Sequence, residues 1–423
     1  MIQLIRGFKD ILPPESALWQ HIERTAIGVF ENFGFREIRL PILEQTALFA
    51  RSIGEDTDIV EKEMYTFPDR KGDLVTLRPE ATAGVVRSYI QHKLHAEDPV
   101  RKFYTIGPMF RRERPQKGRY RQFYQINAEV FGIASPLMDA QLIYMLMKLF
   151  QKLRVKDIAA HINSLGCPAC RPEFKSALRV FLSDKTGSLC SDCQKRWMNN
   201  PLRVLDCKVP ACREALTGAP MLSGHLCPDC RSHFNAVKTW LDELKIGYLV
   251  DDRLVRGLDY YTRTTFEIQT GALGAQSAVA GGGRYDGLVK ALGGPDIPAV
   301  GFAIGFDRLA AILEQEETGH SRRTDVYLAA LGEDCRDLAF GWVCTLAGMG
   351  ILVEMDFESR SLKSQMKRAD RSGAAYVLIL GENEMKQGLA VLRNLATRIQ
   401  EEIPLDRLVD TLEQKIKKKQ STD

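Results

Sequence analysis

The spacing of apolar residues predicts a helix near the start of the chain, over residues 15–33. Ile22, Ala26 and Val29 recur at intervals of three or four positions, which places them on one side of a helix. Gly34 ends this helix, because glycine readily adopts the backbone conformation found just beyond a helix C-terminus. On the same grounds we predict a short strand in 35–43 that Pro41 ends, and further strands at 74–77, 103–106, 122–132 and 157–163. One helix is predicted to begin near Thr82, after a turn at Pro79, and another to span 137–153.

The pattern changes after residue 165. Cysteine, proline and glycine become dense over about 166–244, strand periodicity fades and apolar content is low, so we interpret this stretch as an inserted, loop-rich domain. Strand patterns resume at 247–252, 264–270 and 277–283, and 301–313 predicts a strand that leads into a helix. The chain therefore returns to its first domain after the insertion.

A second boundary is predicted at the polar stretch 319–325, which lacks apolar periodicity and is typical of a linker. It separates a first domain over 1–320 from a second over 325–423. In the second domain, helical stretches separate three apolar runs, at 325–331, 351–357 and 375–381. This alternation is typical of an α/β domain with a parallel sheet.

Charge directs attention to one short segment. The net charge of +4 over 423 residues is close to balanced, so binding to nucleic acid must depend on a local patch. Residues 111–121, RRERPQKGRYR, include six Arg or Lys on a predicted hairpin turn, which indicates a polyanionic partner. We find no apolar signal segment and no stretch long enough to span a bilayer, so we expect a cytoplasmic protein with reduced thiols and no membrane association.

The segments that flank this patch resemble the motifs of class II aminoacyl-tRNA synthetases. Residues 34–45 (GFREIRLPILEQ) resemble motif 1, 102–132 resemble motif 2, and 299–309 (AVGFAIGFDRL) resemble motif 3. Residues 254–267 (LVRGLDYYTRTTFE) and 280–288 (AGGGRYDGL) resemble the two histidine-specific motifs of the histidyl-tRNA synthetase family. The resemblance implies an α+β catalytic domain with an antiparallel sheet, a homodimer formed through motif 1, and a C-terminal α/β anticodon-binding domain.

The resemblance also implies the ATP site. Amino-acid activation is an in-line attack on the α-phosphorus of ATP, and arginine suits it because its planar guanidinium binds phosphate oxygens in pairs and keeps its charge. Arg111 is expected on the α-phosphate, with Arg256 reaching it from the opposite side, and Arg308 with Arg119 on the outer phosphates. Glu113 is expected at the adenine edge, and ATP is expected with Mg²⁺. The catalytic residues are then Arg111, Arg256 and Arg308.

Histidine recognition requires groups that pair with both ring nitrogens and with the amino and carboxylate ends. Gln125 and Glu129 lie on one face of their predicted strand, because side chains alternate with period two. The resemblance assigns Glu80 to the α-amino group, Glu129 and Tyr261 to the imidazole, and Tyr285 to a place near the ring. The full expected set for L-histidine is Glu80, Thr82, Gln125, Glu129, Arg256, Tyr260, Tyr261 and Tyr285.

The expected macromolecular partner is tRNA(His). Within the 111–121 loop, Gln116, Lys117 and Arg121 are expected to contact the acceptor end, which this family marks with an extra guanosine. The C-terminal domain is expected to bind the anticodon.

The cysteines of the insertion raise a separate question about metal. Close pairs of cysteines in a reduced compartment have the spacing of structural zinc sites, and eight thiolates are enough for two tetrahedral sites. Reduced thiols in a loop-rich domain remain the alternative, and the spacing leaves the pairing open. The remaining two, Cys335 and Cys344, are expected to be ordinary buried thiols. The candidate ligands are Cys167 with Cys170, Cys190 with Cys193, Cys207 with Cys212, and Cys227 with Cys230.

Two other functions fit parts of the pattern. One is a catalytically silent synthetase paralogue that regulates an ATP phosphoribosyltransferase in histidine biosynthesis. Such paralogues typically lose motif arginines and the C-terminal domain, whereas this chain keeps both. The other is a synthetase for threonine or proline, which the run RGLDYYTRT (256–264) disfavours.

Overall fold

The structure, a computed structural model, describes residues 1–54, 57–115, 118–271, 278–316, 324–358 and 360–420. It divides into two compact units, residues 1–320 (unit 1) and 321–423 (unit 2).

The elements of unit 1 agree closely with the apolar pattern. Its strands are β1 (Arg36–Glu37), β2 (Leu43–Gln45), β3 (Tyr65–Pro68), β4 (Leu74–Leu77), β5 (Arg101–Phe110), β6 (Gln122–Phe131), β7 (Ile158–Ser164), β8 (Tyr248–Val250), β9 (Thr262–Thr270), β10 (Ala278–Arg284) and β11 (Ala299–Gly305). Its helices are α1 (Glu15–Asn32), α2 (Thr46–Ile53), α3 (Thr82–Gln91), α4 (Pro136–Lys152), α5 (Arg171–Ser183), α6 (Ser191–Asn199), α7 (Pro210–Ala215), α8 (Pro228–Glu243), α9 (Leu288–Ala291) and α10 (Phe306–Glu316).

An eight-stranded sheet organises unit 1, with the strand order β1-β5-β6-β11-β10-β9-β7-β8. Neighbouring strands are antiparallel except for the outer pairs, β1 with β5 and β7 with β8, which are parallel. A smaller antiparallel sheet has the order β2-β4-β3. The expected α+β fold with an antiparallel sheet is confirmed.

The main core lies between the large sheet and helices α1, α4, α8 and α10. On α1 the predicted apolar side is buried, and Trp19 joins it by stacking on Phe306 at a ring-centroid distance of 4.1 Å. Helix α4 begins where the sequence is pre-organised for it: Ser135 accepts a hydrogen bond from the Leu137 amide at 3.3 Å, and Pro136 occupies the first turn.

The predicted strand over 35–43 is shorter than expected. Only Arg36–Glu37 pairs with β5, and the chain then turns at Pro41 before β2 begins. Proline has no amide hydrogen to donate to a neighbouring strand, so the ladder cannot continue through it.

The insertion is helical, so the expectation of a loop-rich segment with little apolar content was wrong. Its helices α5, α6 and α7 surround a buried cluster that includes Phe174, Leu178 and Leu216. The second half of α8 has a different environment, because Phe234 and Val237 pack into the main core of unit 1. The short helices α6 and α7 each bury only a cysteine and so show no apolar period, whereas Phe174, Leu178 and Leu182 recur every four residues on α5.

Unit 2 has a five-stranded sheet with helices. Its strands are β12 (Val326–Ala330), β13 (Val353–Met355), β14 (Tyr376–Leu380), β15 (Leu389–Asn394) and β16 (Gln400–Pro404), in the order β13-β12-β14-β15-β16. Its helices are α11 (Glu333–Gly348), α12 (Leu362–Arg371), α13 (Glu382–Lys386) and α14 (Leu408–Gln420). The first three strands are parallel as predicted, whereas β15 and β16 add antiparallel partners that the apolar pattern did not reveal. Among the described residues, no helix is both long enough and apolar enough to cross a membrane.

A fully buried ion pair joins the sheet to helix α4. Arg284, the last residue of β10, donates two hydrogen bonds to Asp139 at 2.9 and 2.6 Å, and neither side chain is exposed. The remaining guanidinium hydrogens reach the carbonyl oxygens of Ile133 and Ser135, both at 2.9 Å, and the carboxylate of Asp286 at 3.2 Å. Every side of the buried charge therefore has a partner.

We expect Asp139→Asn to destabilise the protein by about 3–5 kcal/mol, because it leaves the Arg284 charge buried without its counter-ion. The matched control is Asp296→Asn, which breaks an exposed pair with Lys290 and should cost about 1 kcal/mol or less. Denaturant unfolding of the two variants measures both values. Equal, small losses would show that Arg284 does not depend on this carboxylate.

Candidate active site

A cavity of about 290 Å³ lies over the face of the large sheet that the core helices leave uncovered. Strand β6 shows how the sequence creates the two faces. Gln125, Asn127 and Glu129 line the cavity, whereas the alternating residues Ile126 and Ala128 belong to the main core. Because strand side chains alternate, one ten-residue strand supplies both the core and the site.

Glu129 lies at the centre of the polar contacts in the cavity. The Thr82 hydroxyl donates to Oε1 at 2.7 Å, and the Tyr285 hydroxyl donates to Oε2. Burial raises the pKa of Glu129 to about 8, and nearby Glu80 adds to the rise, while the two hydroxyl hydrogen bonds oppose it. Gly301 is required beside this carboxyl, because a Cβ there would collide with Oε2 of Glu129.

The Glu80 carboxylate is held by the start of helix α3. Oε2 accepts from the Thr82 amide at 2.7 Å, and Oε1 accepts from the Ala83 amide at 2.9 Å. These amides have no partner inside the helix, and the positive end of the helix dipole favours an acid beside them. Burial nevertheless raises the pKa of Glu80. The side chain is therefore fixed in one orientation at the edge of the cavity.

The loop 254–261 places Arg256 over the glycine-rich strand β10. The Arg256 guanidinium pairs with Glu267 on β9 and lies 5.7 Å from the ring centre of Tyr261. Burial is the largest single influence and lowers the pKa of Arg256, but Glu267, Tyr261 and Tyr260 together outweigh it, so the pKa is raised. A Cβ at Gly281 would overlap the guanidinium, so the absent side chain provides the space that Arg256 occupies.

Three tyrosine rings form a continuous wall of the cavity. Tyr260 contacts Tyr261 at a ring-centroid distance of 4.7 Å and meets Tyr285 edge-on at 5.6 Å. Burial raises the pKa of all three hydroxyls. They therefore remain protonated at neutral pH and can donate hydrogen bonds.

Arginines from different elements also line the cavity. Arg111 donates from Nε to the Pro79 carbonyl at 2.9 Å, and its guanidinium lies 5.2 Å from the ring centre of Phe123. Arg308, near the start of α10, donates to the Ala278 carbonyl at 2.9 Å. Burial lowers the pKa of both arginines, but an arginine still keeps its charge at neutral pH.

Glu113 lies close to two arginines of the cavity, Arg111 and Arg119. It forms an ion pair with Arg119 and lies 3.8 Å from Arg111. Glu113 is buried, whereas Arg119 remains partly exposed at the edge of the cavity. The carboxylate thus holds positive charge in place at the position where a polyanion would enter.

The residues expected from the sequence for catalysis, ATP and histidine all line this one cavity: Glu80, Thr82, Arg111, Glu113, Arg119, Gln125, Glu129, Arg256, Tyr260, Tyr261, Tyr285 and Arg308. Arg121, expected at the tRNA acceptor end, is not among the lining residues. Its guanidinium donates to the carbonyl oxygens of Arg6 at 3.3 Å and Glu113 at 3.4 Å. Gln116 and Lys117, expected beside it, lie outside the described residues. The individual roles stay predictions.

Three polar residues, Asn127, Glu267 and Asp307, are among the lining residues that the sequence analysis did not assign to the site. Asn127 shares the face of Gln125 and Glu129, so the same period of two could have identified it. Glu267 lies in the expected 254–267 segment, but its pairing with Arg256 depends on the distance between β9 and the loop. Asp307 accepts from the Tyr124 amide at 2.7 Å, and burial raises its pKa to about 6.

The insertion brings its eight cysteines together as two groups of four. One consists of Cys167, Cys170, Cys227 and Cys230, and the other of Cys190, Cys193, Cys207 and Cys212. In each group all four sulfur atoms lie within 4.8 Å of one another, and measured separations include 3.9 Å for Cys167 to Cys227 and 3.8 Å for Cys190 to Cys207. Cys335 is buried as expected, whereas Cys344 is exposed, so that expectation was wrong.

These sulfur positions fit a tetrahedral metal. Zinc–sulfur bonds of about 2.3 Å place the sulfurs of a tetrahedral site roughly 3.8 Å apart. A disulfide requires about 2.05 Å, far shorter than the separations found here. Backbone amides also point at the sulfurs: Cys227 donates to Cys170 Sγ at 3.3 Å, and Cys190 donates to Cys212 Sγ at 3.1 Å. Such donors stabilise thiolates, the form that binds metal.

Comparison with known proteins identifies the family. A family model described as "Histidyl-tRNA synthetase" matches residues 7–168 and 207–309, and one described as "Anticodon binding domain" matches 325–415. A protein named histidine–tRNA ligase from Desulfatibacillum aliphaticivorans is 65% identical over 97% of this chain and 98% of its own. A second protein of that name, from Geobacter sulfurreducens, is 55% identical over 96% of this chain and 98% of its own.

A solved structure supports the same assignment. The apo histidyl-tRNA synthetase of S. aureus superposes with a TM-score of 0.82 and 36% identity, over 97% of this chain and 100% of that one. The match spans both units of the chain, and so do the relatives above. The chain belongs to the histidyl-tRNA synthetase family.

Proposed function

We propose that this protein is a histidine–tRNA ligase. It activates L-histidine with ATP to give histidyl-adenylate and pyrophosphate, and then transfers histidine to the 3′ end of tRNA(His). One observation carries the proposal: a single cavity joins a pocket of acids and tyrosines to a group of four arginines. The first suits a polar amino acid and the second suits a triphosphate.

In the activation step, a carboxylate oxygen of histidine attacks the α-phosphorus of ATP, which enters as its Mg²⁺ complex. The new O–P bond forms as the bond to pyrophosphate breaks, so negative charge must be held on both sides. We assign Arg111 and Arg256 to the α-phosphate, and Arg119 and Arg308 to the outer phosphates. Glu113 then binds the adenine edge. The burial of Arg111 and the pairing of Arg256 with Glu267 support fixed positions for these charges.

Histidine selection depends on the opposite end of the cavity. We assign Glu129 and Tyr261 to the two ring nitrogens, Tyr285 to the ring, and Glu80 to the α-ammonium group. Thr82, Gln125 and Tyr260 complete this set. An analogue that lacks a ring N–H would leave the buried Glu129 with only its contacts to Thr82 and Tyr285, so the hydrogen bond to the ligand is lost and affinity falls.

The second substrate is tRNA(His). We assign Gln116, Lys117 and Arg121 of the 111–121 loop to its acceptor end, and unit 2 to its anticodon, since residues 325–415 match the anticodon-binding model. Two copies of the chain form a homodimer through residues 34–45, and the enzyme works in the cytoplasm, where charged tRNA is used.

A silent regulatory paralogue is the second candidate. Its sequence signature is the loss of motif arginines. Arg111, Arg119, Arg256 and Arg308 instead surround one cavity in this protein, which favours the ligase.

We also propose that the insertion holds two structural zinc ions, one in each group of four cysteines. Zinc would there cross-link short helices that also pack around the apolar cluster of the insertion, a means of stabilisation that small domains commonly use. The near-tetrahedral sulfur spacing and the amides that point at Cys170 and Cys212 support zinc over free thiols.

The amino acid and the role of Arg256 are tested together by ATP–pyrophosphate exchange without tRNA. Among the twenty amino acids, histidine alone should support exchange. Arg256→Ala should lower the rate roughly 100-fold, because a charge that stabilises the transition state is lost. Arg253→Ala, an exposed change on the same segment, should retain the rate. Exchange with another amino acid would refute the pocket assignment, and near-normal exchange by Arg256→Ala would refute its role.

Glu129→Gln tests the buried acid through both stability and activity. A pKa raised from 4.5 to about 8 means that the folded protein binds the proton more tightly than the unfolded chain. The stability from Glu129 is then complete below pH 4.5 and is lost as the pH rises through about 8. Glutamine stays neutral, so the variant should melt above wild type at pH 9 and close to it at pH 4.5.

The same variant should lower histidine-dependent exchange about 10- to 100-fold, because a charge-assisted hydrogen bond to the ring is lost. The exposed Glu243→Gln is the matched control and should change neither melting nor exchange. A variant that melts like wild type at both pH values contradicts the raised pKa; unchanged exchange contradicts the assignment to histidine.

Elemental analysis tests the zinc proposal. Protein purified without added zinc should contain about two zinc ions per chain, one for each cysteine group. Cys207→Ser should remove one of them, while Cys344→Ser, which changes an exposed thiol outside both groups, should remove none. A zinc content well below one ion per chain in the wild-type protein would contradict the proposal.

A further inference from the structure

The loop 254–261, which carries Arg256, Tyr260 and Tyr261, is supported from behind by the insertion. Val255 and Tyr261 are buried within the apolar cluster that the insertion helices surround. The loop therefore has two sides: one lines the cavity and the other completes the core of the insertion. A change in the packing of the insertion must reach the residues that line the cavity.

Polar contacts from the insertion hold the backbone of this loop. The Arg203 guanidinium donates to the carbonyl oxygen of Arg256 at 3.2 Å, and Arg171 donates to the carbonyl oxygen of Tyr261. Arg171 also donates to the Leu165 carbonyl at 3.0 Å. The contacts to Arg256 and Tyr261 thus reach the main chain of residues that line the cavity.

A third contact reaches the loop between those two residues. The Asn200 amide donates to both carboxylate oxygens of Asp259 at 3.1 Å, and Arg203 lies 4.0 Å from the same carboxylate. The Arg203 side chain is 13% exposed, so little water competes for its hydrogen bond to the Arg256 carbonyl, whereas the Asp259 side chain is 36% exposed. Hydrogen bonds from a charged donor in such a setting are stronger than neutral ones.

The donors are anchored next to the cysteines. Arg171 directly follows Cys170, and Asn200 and Arg203 lie between Cys193 and Cys207. That segment consists of α6 and the 3₁₀ turn Pro201–Val204 and is closed at both ends by the same cysteine group. Joining the two ends limits where Arg203 can be, because a closed short segment has few conformations.

We propose that Arg203 and Arg171 are positioning residues for histidine activation, and that the cysteine groups hold them in place. The inference rests on the proposed function, since it names what sets the geometry of the same site. Arg256 is then held from two directions, with its guanidinium on Glu267 and its backbone on Arg203. Loss of the second contact lets the loop shift, and a shift of about 1 Å can cost roughly 100-fold in rate.

The experiment compares Arg203→Met and Arg203→Lys with Arg179→Ala in the full-length protein. Arg179 is the matched control, because it also donates from the insertion to a backbone carbonyl, that of Met198 at 3.0 Å, but does not contact the loop. Calorimetric Kd for histidine, and KM and kcat for histidine and ATP in pyrophosphate exchange, are measured for each variant. Zinc content and melting temperature are recorded for all of them.

Arg203→Met should lower kcat/KM for histidine about 10- to 100-fold, leave KM for ATP within about twofold, and weaken histidine binding in calorimetry. The KM for ATP changes little because three of the four arginines assigned to ATP, namely Arg111, Arg119 and Arg308, lie outside this loop. Arg203→Lys keeps one donor and should recover part of the loss. Arg179→Ala should match wild type, and all variants should keep the wild-type zinc content.

Two results would overturn the inference. One is an Arg203→Met protein that is indistinguishable from Arg179→Ala in both histidine affinity and kcat/KM. The other is a loss that affects ATP as much as histidine, together with a lower melting temperature, which would mean that Arg203 only supports the fold. Failure of the proposed function looks different, because wild-type protein would then show no histidine-dependent exchange and no histidine binding.

Discussion

The buried pair of Arg284 and Asp139 is the constraint on which the site depends. Strand β10 forms the floor of the cavity with consecutive glycines, which have no side chains to anchor the strand. Arg284 anchors its end by contacts to helix α4 and to the loop before it. A buried pair adds little net stability, because desolvation offsets its attraction, but an incomplete pair costs several kcal/mol. Its consequence is therefore specificity: only one register of β10 satisfies all the donors.

The floor of the cavity, which this pair anchors, must accommodate both a cationic and an acidic side chain. Gly281 and Gly301 leave room for the Arg256 guanidinium and the Glu129 carboxyl to lie directly on the sheet. Burial in turn raises the pKa of Glu129 to about 8, so its carboxyl keeps a proton at neutral pH. A bound imidazole could accept or share that proton. A pocket built in this way gives up stability at neutral pH in exchange for a preformed hydrogen-bond partner, a compromise common at functional sites.

Much of this arrangement could be predicted from the sequence, because motifs and periods are local. Strand period two placed Gln125 and Glu129 together, and the same rule would have found Asn127. The pairing of Arg256 with Glu267 could not be predicted, since it depends on how closely the loop approaches β9. The helices of the insertion were missed although two of them carry a helical period: Phe174, Leu178 and Leu182 recur every four residues on α5, and Phe234, Val237 and Leu241 share one side of α8. Only α6 and α7 lack such a period, because each buries a single cysteine.

The grouping of the cysteine pairs is another feature that could not be predicted from the sequence, and it bears on the positions of Arg203 and Arg171. Four close pairs can combine into two groups in three ways, and spacing along the chain does not choose among them. The structure nests one group inside the other, with 190–212 enclosed by 167–230. Nesting closes a short segment within a longer one, so the ordering cost of the inner segment is small. The inner segment carries Arg203 and the outer one begins beside Arg171, and both arginines contact the backbone of the loop 254–261, which lines part of the cavity. The insertion thus supports the wall of the cavity from outside, since none of its described side chains lines it.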